Sequence, residues 1–161
     1  MSNPIIVGIS DLNVTLSPGV LVSYALGSCV GICLYDSTTR IAGLSHIMLP
    51  SITGFKKDAN IMKFADTATV ELVRRMENLG AKRSRMVAKI AGGAQMFSQQ
   101  GISDAAQIGN RNISATKEVL RSLNIKLVAE DTGLNYGRTV EFFAETGLLR
   151  VKSISYGTKE I

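Results

Sequence analysis

Histidine and cysteine are scarce in this chain, which limits the metal and disulfide chemistry open to it. The 161 residues include one histidine, His46, and two cysteines, Cys29 and Cys33. A structural zinc site normally takes about four Cys or His ligands, so we expect no metal centre. On one strand, the two cysteines would lie about 13 Å apart, whereas a disulfide needs Cα atoms within roughly 7 Å. We therefore expect two free thiols.

Long apolar runs, repeats and linkers are also missing. No run approaches the roughly 20 residues that cross a bilayer, so we expect no membrane insertion. The first residues carry no basic stretch ahead of an apolar core, which argues against a secretory signal and for the cytoplasm. With 45% apolar and 19% charged residues, the chain is not intrinsically disordered. We expect one globular domain over residues 1–161.

The charge is moderately basic, with 18 Lys and Arg against 13 Asp and Glu, a net charge of +5. This balance favours acidic partners or surfaces without specifying one. The densest basic cluster, Lys82 to Arg85, contains no aromatic residue. It is typical of a solvated surface, so we expect no nucleic-acid partner.

The hydrophobic pattern predicts eight strands and two helices. The strands are Asp11 to Leu16, Val20 to Leu26, Cys29 to Tyr35, Ile41 to Leu49, Met86 to Ala91, Ile125 to Ala129, Thr139 to Ala144 and Leu148 to Ile154. The helices are Asp58 to Leu79, with Asp58 as N-cap and Gly80 just beyond the end, and Asn112 to Leu123. Many strands without regular strand–helix alternation favour an α/β layered domain with mixed, largely antiparallel sheets.

The polar stretch Asp36 to Arg40 separates two of these strands and predicts a hairpin. If Tyr35 pairs with Arg40, Cys29 stands directly opposite His46, with Cβ atoms about 4.5–5.5 Å apart. That separation suits a cysteine nucleophile and its histidine base. A register slip of one residue would place the two side chains on opposite faces.

This pair has a clear chemical use. A free thiol has a pKa near 8.5, and an adjacent imidazolium would favour the thiolate. Imidazole titrates near 6.5, so it can accept the thiol proton and later donate one to a leaving amine. The small-residue segment before Cys29 could direct the backbone N–H groups of Ser28 and Cys29 at an oxyanion. Two structural alternatives stay open: Cys29 could simply pack in the core, and His46 could be a core residue with satisfied hydrogen bonds. We expect Cys33 to be a core residue.

Longer motifs around these residues resemble the CheD family, the chemoreceptor glutamine deamidases of bacterial and archaeal chemotaxis. The specific motifs are Ala25-Leu26-Gly27-Ser28-Cys29-Val30-Gly31-Ile32-Cys33-Leu34-Tyr35-Asp36 and Gly43-Leu44-Ser45-His46-Ile47-Met48-Leu49-Pro50. Weaker ones are Lys89-Ile90-Ala91-Gly92-Gly93-Ala94, Ile108-Gly109-Asn110-Arg111-Asn112, and Gly137-Arg138 after Asp131. The motifs follow the family's order through nearly the whole chain.

The resemblance implies a three-layer α/β sandwich in which Cys29 and His46 are catalytic. It also implies a third polar residue six positions before the cysteine, where the family usually has threonine and this chain has Ser23. The chain departs again at Leu134, where the family usually has glycine. The implied activity is hydrolysis of glutamine side chains in the cytoplasmic region of a chemoreceptor, with no cofactor.

Two other roles share these residues. Members of the family also bind a CheC-type phosphatase of the response regulator, so the chain could act as an adaptor with little or no catalysis. A cysteine protease would use the same Cys29 and His46, but nothing in the sequence indicates a groove for an extended peptide.

Overall fold

The computed structural model describes residues 3–96 and 107–161, which form ten strands and two α-helices. The strands are β1 (Ile5–Ile6), β2 (Asp11–Leu16), β3 (Val20–Leu26), β4 (Val30–Asp36), β5 (Ile41–Ile47), β6 (Met86–Gly92), β7 (Lys126–Thr132), β8 (Arg138–Phe143), β9 (Leu149–Ser153) and β10 (Gly157–Glu160). The helices are α1 (Ala65–Asn78) and α2 (Ile108–Ser122), and short 3-10 helices cover Ile61–Lys63 and Arg83–Arg85.

The strands form two five-stranded sheets. Sheet A has the order β1-β3-β8-β9-β10 and sheet B the order β2-β5-β4-β6-β7. The β1–β3 and β6–β7 pairs are parallel, and the other pairs are antiparallel. This confirms the prediction of mixed, largely antiparallel sheets.

The alternation of side chains along sheet B creates two hydrophobic cores. On β4, Val30, Ile32 and Leu34 pack with the helices, whereas Cys33 and Tyr35 pack with sheet A. Successive strand residues point to opposite faces, so one continuous apolar strand can serve both cores. The result is sheet A, sheet B and a helix layer in that order, which confirms the three-layer sandwich.

Helix α1 lies directly on β5 because β5 has a glycine at the contact. A Cβ atom on Gly43 would come within 2.7 Å of Leu72 and 2.8 Å of Met76, both on α1. The helix starts at Ala65, so the predicted start at Asp58 is wrong. Instead, Asn60 caps the preceding 3-10 helix by accepting a hydrogen bond from the Met62 N–H.

The predicted hairpin is present, but its register differs by two residues. Tyr35 pairs with Ala42 and Asp36 with Ile41, which places Gly31 opposite His46. The reason is Asp36, which stays in the strand because its buried carboxylate binds Arg85 and the Lys82 N–H. The expected direct Cys29–His46 pairing is therefore wrong, although a shift of two keeps both side chains on the same face.

Two short strands and the start of one helix also differ from the prediction. The short strands β1 and β10 were not predicted, and α2 begins at Ile108 rather than Asn112. Asn112 thus lies in the second turn of α2 and is buried there. No helix among the described residues is both long and apolar enough to cross a membrane.

Candidate active site

Ser23 and His46 meet where the two sheets face each other. Ser23 lies on β3 of sheet A and His46 on β5 of sheet B, and the distance from Ser23 Oγ to His46 Nδ1 is 2.7 Å. Ser23 is 0% exposed and His46 is 3% exposed. The structure therefore joins two of the three residues singled out as catalytic by a buried hydrogen bond between the sheets.

A third partner fixes the direction of this hydrogen bond. Ser23 Oγ also lies 2.7 Å from the carbonyl oxygen of Val7, which can only accept. The single hydroxyl proton of Ser23 therefore goes to Val7, and His46 must donate its Nδ1–H to Ser23 Oγ. In this tautomer Nε2 carries the lone pair, and it is buried with no hydrogen-bond partner among residues 3–96 and 107–161. The imidazole is held ready to accept a proton at Nε2.

Cys29 lies immediately before β4, on the same face as His46. It belongs to the hydrophobic core between the sheets, and it is 8% exposed. His46 pairs with Gly31, two residues beyond Cys29, so no β4 side chain stands directly across from the imidazole. In a regular ladder such diagonal neighbours are about 7–8 Å apart, with their Cβ atoms somewhat closer.

Burial keeps both groups neutral at rest. It lowers the pKa of His46 to about 4 and raises the pKa of the Cys29 thiol, which a hydrogen bond from the Cys29 N–H partly offsets. Desolvation disfavours the charged form of each group. A nucleophilic Cys29 would therefore have to give up its thiol proton as it attacks.

The segment that contains Cys29 is held through its carbonyl groups. We call residues 27–29 the Cys29 loop. The Gly27 carbonyl accepts from the Ala94 N–H at 2.9 Å, and the Cys29 carbonyl accepts from the Gly93 N–H at 2.8 Å. The C=O and N–H of a trans peptide point in opposite directions. The N–H of Ser28, which shares a peptide with the Gly27 carbonyl, therefore points away from Ala94.

Gly92 makes this close approach possible. Its φ of +106° lies in the left-handed region, and a Cβ atom there would come within 2.3 Å of the Cys29 carbonyl oxygen. Only glycine combines that backbone conformation with that contact. Gly92 lies in the weak Lys89–Ala94 motif, from which this role was not predicted.

Asn112 is the other residue that the sequence analysis missed. It is 0% exposed, and its Nδ2 donates to the carbonyl of Ser28 at 2.9 Å and to that of Met48 at 3.0 Å. Ser28 precedes Cys29, and Met48 follows the strand that contains His46. The only sequence signal was its place in the Ile108–Asn112 motif, to which we assigned no role.

The loop between β7 and β8 supports the end of β6. Gly133 N–H donates to the Gly92 carbonyl at 2.9 Å, and Gln95 N–H donates to the Leu134 carbonyl at 2.8 Å. Leu134 has a φ of +59°, so it adopts the left-handed conformation that glycine would adopt more easily. The buried side chain of Arg138 braces the same loop through Asp131 and the Gly133 carbonyl.

The described residues offer no metal site. Within residues 3–96 and 107–161, no group of three or more His, Cys, Asp or Glu could hold an ion. What the site contains is a thiol, an imidazole with a free Nε2 and a loop with oriented peptide groups. Such a set suits acyl transfer through a covalent thioester.

Known proteins resemble this chain closely. The family model of CheD chemotactic sensory transduction matches residues 48–153. A protein of Caldanaerobacter subterraneus subsp. tengcongensis, named "Probable chemoreceptor glutamine deamidase CheD", is 54% identical over 155 residues, which cover 96% of each chain. A protein of the same name from Lachnoclostridium phytofermentans is 52% identical over 161 residues, 100% of both chains.

A solved structure also matches, more remotely. The crystal structure of the Bacillus licheniformis hypothetical protein YfiH gives a TM-score of 0.48 at 16% identity, and the match covers 78% of this chain and 51% of that one.

Proposed function

Because this chain belongs to the CheD family, we propose that it deamidates glutamine side chains in the cytoplasmic region of chemotaxis receptors and acts in the cytoplasm. Cys29 is the nucleophile in this proposal, His46 the general base and acid, and Ser23 the residue that orients His46. The N–H groups of Ser28 and Cys29 stabilise the oxyanion. The reaction needs no metal or organic cofactor.

The observation that carries the proposal is the buried chain of hydrogen bonds from His46 through Ser23 to Val7. Within the described part of the chain, it leaves His46 Nε2 without a partner on the face that Cys29 shares. An unsatisfied buried nitrogen costs about 1–3 kcal/mol of folding free energy. A base that must accept a thiol proton explains why this nitrogen is left unpaired, whereas both ring nitrogens of a core histidine would be expected to form hydrogen bonds.

The proposed reaction has two halves. First, the Cys29 thiol transfers its proton to His46 Nε2 while Sγ bonds to the carboxamide carbon of the glutamine, which forms a tetrahedral oxyanion. The C–N bond then breaks, His46 donates its proton to the nitrogen, and ammonia leaves a thioester. Second, His46 takes a proton from water as the oxygen attacks the thioester, and the proton then returns to sulfur. The products are glutamate and the free thiol.

The test is to incubate the protein with a cytoplasmic fragment of its cognate chemoreceptor and to measure deamidation. Ammonia release should accompany a gain of about 1 Da at specific glutamines, since NH₂ becomes OH. Cys29→Ala should abolish both signals. Cys33→Ala is the matched control, because Cys33 lies on the same face of β4, fully buried, and takes no part in the reaction. An unchanged fragment mass with the wild-type protein would refute the proposal.

The adaptor role makes a different prediction. Binding to a CheC-type phosphatase, and any stimulation of that phosphatase, should survive Cys29→Ala. An adaptor alone has no use for a histidine with one ring nitrogen bound and the other unpaired. This arrangement favours the deamidase as the main activity.

A further inference from the structure

Asn112 connects the two parts of the candidate active site that come from different strands. Its side chain reaches the Ser28 carbonyl across a sequence separation of 84 residues and the Met48 carbonyl across one of 64. Ser28 is in the Cys29 loop, and Met48 follows the end of β5, two residues after His46. One side chain on α2 therefore holds both the nucleophile's segment and the base's segment.

The chemistry of the contacts fixes how the carboxamide is turned. Both neighbours are carbonyl oxygens, which only accept, so the NH₂ group must face them. Its two hydrogens are then both used, while Oδ1 is buried and no described residue bonds to it. An arrangement that leaves one buried oxygen unpaired favours a residue selected for its two donors.

The Ser28 contact also determines where the Cys29 N–H points. The Ser28 carbonyl and the Cys29 N–H belong to the same trans peptide and are directed oppositely. By holding the carbonyl toward α2, Asn112 turns the N–H toward the other side. The Cys29 side chain lies on that side too, because it belongs to the core between the sheets and not to the core under the helices. An oxyanion formed on a carbon attached to Sγ would lie within reach of that donor.

We propose that Asn112 is a positioning residue of the deamidation reaction, which fixes the Cys29 loop, and with it the Cys29 N–H, relative to the strand that contains His46. The inference rests on the proposed function for its catalytic part. It predicts that loss of the two donors releases the loop locally: the thiol becomes more accessible while turnover becomes slower. A residue that merely stabilised the core would not separate these two effects.

The test uses Asn112→Asp, which keeps the shape and removes both donors, together with Asn112→Ala. We expect kcat for deamidation to fall about 100-fold with little change in KM, a loss comparable to that of an oxyanion donor. Iodoacetamide should label Cys29 up to about tenfold faster under native conditions. This is the factor that loss of the hydrogen bond from Asn112 to the Ser28 carbonyl allows. Cys33, which is 0% exposed, should stay protected because the rest of the fold is intact.

Thr116→Ala is the matched control. Thr116 lies one turn further along α2, is equally buried, and its hydroxyl bonds to none of the residues that the structure describes. The proposal is overturned if the Asn112 variants lose no more turnover than Thr116→Ala. It is also overturned if Cys29 and Cys33 become labelled together, which indicates global unfolding. If the wild-type protein shows no deamidation, the proposed function fails, whereas the labelling still decides whether Asn112 anchors the loop.

Discussion

At the scale of single residues, the hydroxyl proton of Ser23 decides which nitrogen of His46 is protonated. Ser23 Oγ has two neighbours at 2.7 Å, the Val7 carbonyl and His46 Nδ1, and only the first must accept. The tautomer of His46 follows from this, without any reference to catalysis. Serine provides the same hydroxyl as the threonine that is usual in the family at this position.

Replacing Ser23 therefore tests the orientation of His46. Ser23→Ala leaves the Nδ1–H without its acceptor, so the tautomer with a basic Nε2 is no longer favoured. We expect kcat to fall roughly 100-fold, within the range of general-base effects. Steady-state deamidation kinetics measure the change. Ser23→Thr, which keeps the hydroxyl, should retain most of the turnover, and an equal loss in both variants would contradict the role.

The buried imidazole should also make stability depend on pH. Burial lowers the pKa of His46 from 6.5 to about 4. Between these values the unfolded chain binds a proton that the folded chain does not, so stability present above pH 6.5 is lost as the pH falls toward 4. Since one pKa unit corresponds to about 1.4 kcal/mol, the loss from neutral pH to about pH 5 amounts to roughly 2 kcal/mol.

Urea unfolding of the wild type and of His46→Gln at these two pH values measures this effect. Carboxylates contribute to both proteins, so the difference isolates His46. The wild type should lose roughly 2 kcal/mol more than the variant. Equal losses would mean that His46 titrates normally and is not buried as described.

At the scale of elements, Asp36 sets the register of the β4–β5 hairpin. Burial alone raises the pKa of Asp36, but hydrogen bonds from Arg85 and from the N–H groups of Lys82 and Thr38 outweigh it and lower the pKa to about 2. Glu71 on α1 also has a pKa lowered to about 2, by Arg74 and Arg75. The two carboxylates differ in burial, since the Asp36 side chain is 0% exposed and that of Glu71 is 13% exposed beside more open arginines.

Because of this difference, we expect Asp36→Asn and Glu71→Gln to lower the free energy of unfolding by different amounts. Asp36→Asn leaves Arg85 without its buried partner and should lower the free energy of unfolding by about 3 kcal/mol. Glu71→Gln removes surface ion pairs and should cost less than about 1 kcal/mol. Denaturant titration at neutral pH compares them. Similar small losses would show that Asp36 does not hold the hairpin.

The β7–β8 loop carries a strained residue that substitution should relieve. Leu134 adopts a φ of +59°, and the residue is 64% exposed, so little side-chain packing offsets the backbone strain. Leu134→Gly should stabilise the protein by about 1 kcal/mol, which raises Tm by roughly 2–4 °C for a chain of this size. Val128→Gly, at an exposed β7 position without positive φ, should lower Tm instead. A lower Tm for both Leu134→Gly and Val128→Gly would show that the Leu134 backbone is not strained.

At the scale of the whole molecule, the sequence predicted what depends on local periodicity. The eight predicted strands exist because each has an apolar pattern and turn residues at its ends, and the end of α1 before Gly80 follows from the positive φ that Gly80 adopts. The shared face of Cys29 and His46 was also predictable, since a register error of two residues preserves it.

What the sequence did not predict depends on contacts between distant segments. The two-residue strand β1 has no pattern of its own, although Val7 just beyond it fixes the Ser23 proton. Asp36 is polar and was assigned to the loop, because its partner Arg85 lies 49 residues away. The Asn112 contacts span larger separations still. Such features follow from packing, which periodicity does not encode.

The most direct test of the central claim is capture of the thioester on the intact protein. Wild-type protein and a receptor fragment are mixed and quenched with acid during turnover. Mass spectrometry of the intact mixture should show a species with the mass of both partners less about 17 Da, one ammonia, and proteolysis should then map the bond to Cys29. Turnover without any covalent species on Cys29, or with the fragment attached to Cys33, would contradict it.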